Sequence, residues 1–123
     1  MCELKNVSAI HARAEELGRD VQYREKFDVC VSRAVANMST LLEYCIPFVK
    51  VGGVFVSYKS GDIKEELVAA DNAQKQLFCK NKDVIKFSLP NTDINRSFVI
   101  FEKKKELNKK YPRQGGKPKK NPL

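Results

Sequence analysis

A chain of 123 residues with 42% apolar content holds one domain around one core and is too short for a second. No apolar run approaches the ~18 residues of a spanning helix and no basic stretch followed by an apolar one opens the chain, so neither a membrane span nor a signal peptide is expected, and the expected location is cytoplasmic. The net charge of +8 is concentrated at one end: residues 102–123 carry nine Lys or Arg against two acids. Such a tail is either a solubilising end or an electrostatic arm for a polyanion, with nucleic acid the leading partner.

In chain order, Val7 to Ile10 form the centre of a short strand, with His11 just past its end. Arg13, Ala14, Glu15 and Glu16 follow in a loop or helical turn that ends at Gly18. An acid past a strand end can accept hydrogen bonds from a ribose or an exocyclic amine. The plainer reading of Glu15 and Glu16 is a solvated face. His11 has no second histidine to share a metal with, and reads as structural or peripheral.

Phe27 to Val35, FDVCVSRAV, organises the chain. Val29, Cys30 and Val31 read as a strand buried on both faces within a parallel sheet. Ser32 and Arg33 then stand where the strand leaves the sheet, and ligands bind at the carboxyl ends of strands in open α/β sheets. Arg33 is therefore either a ligand-binding residue or a cation that caps the sheet or pairs with a surface carboxylate. From Asn37 to about Lys50, Met38, Leu41, Leu42, Cys45, Phe48 and Val49 recur at helical spacing, with Pro47 loosening the last turn and Gly52–Gly53 supplying the exit. Val54 to Tyr58 is the next buried strand, with Lys59, Ser60 and Gly61 at its carboxyl end.

Asp62 suits the N-cap of a second helix whose inner stripe is Ile63, Leu67, Ala70, Ala73 or Gln74, and Leu77. Asp83 to Leu89 alternates, which predicts a strand with Ile85, Phe87 and Leu89 on its covered face. A polar turn, Pro90 to Asn95, leads through Arg96 to the strand Ser97 to Phe101, closing a hairpin. Helices alternating with strands predict an α/β fold, a mostly parallel sheet with an antiparallel terminal hairpin. The domain spans residues 1–103. Residues 104–123 read as a basic extended arm containing proline and glycine, in which Tyr111 could stack on a base while Lys109, Lys110, Arg113, Lys117, Lys119 and Lys120 meet phosphates. The four cysteines, at 2, 30, 45 and 79, form no C-x-x-C pair and read as small buried hydrophobes, with no metal site.

The series HARAEELGRD, YREKFDVCVSRAVANMSTLLEYCIPFVKVGGVF, LPNTDINRSFVIFEK and KKYPRQGGKPKKNPL resembles the carboxyl-terminal half of the bacterial 16S rRNA guanine-N7 methyltransferases, the RsmG or glucose-inhibited division protein B (GidB) family. That resemblance implies a Rossmann-like class I methyltransferase sheet of strand order 3-2-1-4-5-7-6, here without its first two strands. It implies transfer of a methyl group from S-adenosyl-L-methionine to N7 of a guanine in 16S rRNA of the small ribosomal subunit. Ala14 and Glu15 match the segment that meets the adenosyl part of the cofactor. Arg33 matches an arginine at the cofactor and substrate site, and Lys59, transferred by charge, would face RNA. No general base is implied, because guanine N7 carries a lone pair and no proton; positioning is the catalytic contribution. The family's glycine-rich loop is missing, since the sequence has no G-x-G. Loss of the first two strands would leave Phe27 to Ser32 as an open edge that invites self-association. The alternative is a non-catalytic RNA-binding module that has lost the cofactor site.

Overall fold

The computed structural model describes residues 8–33, 36–60, 63–93 and 95–123. A short helix α1 (Ala14–Leu17) precedes strand β1 (Phe27–Ser32), helix α2 (Met38–Cys45) and a 3-10 turn (Ile46–Phe48). Strand β2 (Val49–Ser60), helices α3 (Lys64–Ala69) and α4 (Asp71–Gln76), strands β3 (Cys79–Ser88) and β4 (Asn95–Lys103) and a helical turn α5 (Lys117–Lys120) complete the chain. The sheet order is β1-β2-β4-β3, with β1 parallel to β2 and the other pairs antiparallel. The last strand thus inserts between β2 and β3, and β1 lies at the sheet's edge.

One face of the sheet carries the core. Asn37 caps α2 by accepting the Thr40 amide at 2.9 Å, which starts the helix one residue after β1's exit loop. The apolar spacing of α2 then sets Met38, Leu41, Leu42 and Ile46 against Phe55, Val99 and Phe101 of the sheet, all buried. Phe55 and Phe101 stack with centroids 6.2 Å apart. Ile63, Ala70, Ala73 and Leu77 line the inner side of α3 and α4 as the periodicity predicts, although the expected single helix is broken at Ala70. Asp62, the predicted cap, and Val7 of the predicted first strand lie outside the described residues. Ser8 to Ile10 are described, and they are exposed and belong to no strand.

Three further expectations are corrected. Among the described residues nothing covers the second face of the sheet, so Val29 is 54% and Val31 72% exposed rather than buried on both sides. On β3 it is Cys79 and Val84 that face the core, because a bulge between Asn81 and Asp83 shifts the alternation. Ile85 and Phe87 lie on the opposite face, where Phe87, Phe98 and Tyr58 form a ring cluster with centroids 5.0–6.3 Å apart. Gly52 and Gly53 do not end α2's exit but lie within β2, where the register to β1 jumps between Phe27 and Val29. Gly52 has φ +87, and a Cβ on Gly53 would stand 2.6 Å from the Asp28 carbonyl oxygen, so the close strand approach needs glycine.

The tail is packed, not extended. Leu107, Tyr111, Pro112 and Pro118 are buried against the domain. Arg24 donates to the carbonyls of Tyr111 (2.6 Å) and Asn108 (3.0 Å), and Arg19 to those of Pro112 (3.0 Å) and Lys110 (3.1 Å). Arg113 meets Glu43, a fully buried carboxylate on α2, through its backbone amide at 2.7 Å and its guanidinium at 2.8 Å. Compositional reasoning missed this because each partner reads as a solvated charge until α2's burial is known. The Glu43 carboxylate in turn raises the Arg113 pKa.

A second buried pair ties β4 to the loop before β1. Lys103, with no exposed surface, donates to Glu25 at 2.7 Å and to the Val49 carbonyl at 2.7 Å. Burial opposes the charge on Glu25, but hydrogen bonds from Lys103 and from the Leu107 amide outweigh it and hold the carboxyl below its ordinary value. Cys79 is buried, and that burial pushes its thiol up to about 12. Cys30 and Cys45 share a hydrogen bond between β1 and α2, which lowers the first and raises the second.

Candidate nucleic-acid cleft

Parallel β1 and β2 both end at the same rim of the sheet, and antiparallel β4 begins there, opposite Ser60 at Arg96. This convergence of strand ends opens a cleft of about 460 Å³ lined by Arg33, Asn37, Tyr58, Lys59, Glu66 and Arg96 among others. The Arg33 guanidinium lies 5.4 Å from the Tyr58 ring centroid, a cation–π contact. Tyr58 is itself braced from behind by Phe98 and Phe87. Lys59 crosses the floor, donating to the Ala36 carbonyl at 2.6 Å and to Glu66 at 2.8 Å. Glu66 is thereby engaged, leaving Arg33 and Arg96 as cations with no carboxylate partner among the described residues.

An aromatic ring and guanidinium groups at a cationic rim suit an unstacked nucleobase with its flanking phosphates. The described residues contain no group of three His, Cys, Asp or Glu able to hold a metal, and no helix among them is long and apolar enough to cross a membrane.

The profile of the GidB family, described as rRNA small subunit methyltransferase G, matches residues 1–98. The chain belongs to that family. It is 53% identical over 121 residues to a ribosomal RNA small subunit methyltransferase G of Lachnoclostridium phytofermentans, an alignment covering 98% of this chain and 50% of that protein. Proteins of the same name from Acetivibrio thermocellus and Clostridium botulinum are 50% and 46% identical, over 98% of this chain and 50% and 51% of theirs. The chain spans about half the length of the curated relatives it matches.

Of the residues singled out in the sequence, Arg33 and Lys59 come together in the cleft, although the Lys59 ammonium is occupied by its two protein partners. Ala14 and Glu15 do not join them. Glu15 is 5% exposed, paired with Arg13 and close enough to Tyr44 to help burial raise that phenol's pKa. Tyr44 lies seven residues beyond Asn37 on α2, about 10 Å along the helix from the cleft. Tyr111 is 4% exposed, and its hydroxyl donates to Gln76 at 3.3 Å, so its ring is not presented to a base. Arg113 is taken by Glu43, whereas Lys109, Lys110, Lys117, Lys119 and Lys120 are exposed. Sequence reasoning missed Tyr58, Glu66 and Arg96 as cleft residues. Tyr58 was legible, because it directly precedes Lys59 at the end of the predicted strand, whereas Arg96 reaches the rim only through the antiparallel insertion of β4 beside β2.

Proposed function

We propose that this chain is the carboxyl-terminal, RNA-facing part of an S-adenosyl-L-methionine-dependent methyltransferase that modifies guanine N7 in 16S rRNA of the small ribosomal subunit, on a Rossmann-like class I sheet. The observation that carries the reading is the cationic cleft of Arg33, Tyr58 and Arg96 at the carboxyl ends of parallel strands, in a chain of this family. The strand order β1-β2-β4-β3 supports it, being the 4-5-7-6 end of the expected sheet. N7 of guanine has no proton to remove, so the cleft's task is to hold the base rather than to deprotonate it. The ring of Tyr58 and the plane of Arg33 offer the stacking faces.

The described residues do not by themselves fit the cofactor. Its sulfonium is a cation, and the cleft offers three cations and one carboxylate, Glu66, already bonded to Lys59. Ala14 and Glu15 sit at the other end of α2. The same misfit favours a second reading, a non-catalytic RNA-binding module. The position of β1 at the end of the sheet, with Val29 and Val31 exposed, supports pairing with a second polypeptide, including another copy of this chain.

Methyl transfer from labelled S-adenosyl-L-methionine to 16S rRNA separates the two readings, comparing this chain with one joined to the remaining half of the Lachnoclostridium phytofermentans relative. We expect transfer only by the joined chain, and no tight calorimetric binding of S-adenosyl-L-methionine by this chain alone. Transfer by neither, with salt-sensitive RNA binding by both, would establish the module instead.

A further inference from the structure

The charge of the tail leads to one place on the fold. Past the buried Tyr111 and Pro112, Gly115 (φ +68) and Gly116 (φ +74) reverse the chain in the left-handed region and launch α5. Three contacts then hold α5 and its flanks to the domain. Arg113 is clamped to Glu43 and also donates to the Asn121 carbonyl at 2.7 Å. The Thr40 hydroxyl, buried on α2, donates to the Pro118 carbonyl at 2.8 Å, and Asn72 of α4 donates to the Leu123 carbonyl at 2.9 Å. Lys117, Lys119 and Lys120 remain exposed, and among the described residues none of them has an ion-pair partner.

The position is adjacent to the cleft. Thr40 is three residues past Asn37, about 4.5 Å along α2. A second groove, of about 260 Å³, is lined by Asn37, Met38, Glu66, Pro122 and Leu123. It shares Asn37 and Glu66 with the cleft, so a surface path runs from Arg33 and Tyr58 across the start of α2 to Pro122 and Leu123, which follow α5. One nucleic-acid strand advances about 3.4 Å per nucleotide in a duplex, so phosphates within a few nucleotides of a base in the cleft reach the lysines.

We propose that the docked tail is a preformed phosphate clamp: Lys117, Lys119 and Lys120 hold the single-stranded RNA next to the nucleotide in the cleft, and the contacts from Thr40, Asn72 and Glu43 fix where they do so. This rests on the RNA reading above and goes beyond charge alone. A loose lysine arm would lose its conformational freedom on binding, whereas an arm already fixed on folding does not. Contacts that never touch RNA therefore govern the affinity.

The test is binding of the full 123-residue chain to a 12-nucleotide single-stranded RNA containing guanine, by fluorescence anisotropy across 50–200 mM salt. Replacing Lys117, Lys119 and Lys120 with alanine, all on the surface, should weaken binding at least about tenfold and flatten the salt slope by about 2, at ~0.7 per single-strand phosphate. The double variant Thr40→Val with Asn72→Ala keeps every charge. It should weaken binding about three- to tenfold with an unchanged slope, while Thr40→Ser, which keeps the hydroxyl, retains wild-type affinity. Wild-type binding that is salt-sensitive and indifferent to the double variant would overturn the clamp and leave the RNA reading intact. A lysine variant with an unchanged slope would also overturn it. No salt-sensitive binding by the wild-type chain would instead refute the RNA reading itself.

Discussion

Replacing Arg113 with alanine removes the guanidinium from a carboxylate that has no exposed surface. Glu43 keeps the Arg113 backbone amide at 2.7 Å but loses the contacts from Nε and Nη2 at 2.8–3.1 Å. Breaking a buried pair on one side costs about 3–5 kcal/mol, and the surviving amide places this case near 3. Urea unfolding followed by circular dichroism should show a deficit of about 3 kcal/mol at pH 7. A deficit below about 1 kcal/mol would refute the account of Glu43 as a buried carboxylate held by the tail. Replacing both partners with apolar residues, Glu43→Leu with Arg113→Met, should recover most of the loss.

Gly53→Ala should cost about 2 kcal/mol or more in urea unfolding, because the new Cβ meets the Asp28 backbone oxygen at 2.6 Å. Gly52→Ala, with open space but φ +87, should cost only about 1–2 kcal/mol, and a reversal of that order would contradict the strand register. Tyr58→Ala should weaken binding of a guanine-containing RNA roughly 5- to 100-fold, the ~1–3 kcal/mol of one stacked base, with the salt slope unchanged; a change of slope alone would show that Tyr58 carries no base. Because the folded-state pKa of Glu25 is lowered, the stability it contributes is complete above about pH 4.5 and is lost as the pH falls through the folded value. Glu25→Gln should accordingly flatten acid unfolding of the wild type below pH 4.5, and identical acid profiles would remove the Glu25–Lys103 pair from the account.

Local patterns in the sequence were enough for the strand at Phe27–Ser32, the α2 stripe capped by Asn37, the inner residues of α3 and α4, and the closing hairpin, because each is written in a period of 2 or 3.6 and in a capping residue. The same reading put Arg33 and Lys59 at strand ends, and a parallel pair necessarily brings its carboxyl ends to one rim. Which side chains share that rim was decided by topology: Arg96 arrives there because β4 inserts antiparallel beside β2, a pairing 36 residues apart that no local pattern records. The fate of the tail was likewise a tertiary matter. Its composition is that of a loose arm, yet Leu107, Tyr111 and Pro118 find apolar surface, and Glu43, Arg24 and Thr40 supply partners that lie 70 or more residues away in sequence. Exposure of Val29 and Val31 has the same origin. Their sequence is that of a strand buried on both faces, but burial depends on what packs against the sheet, and among the described residues only one face is covered.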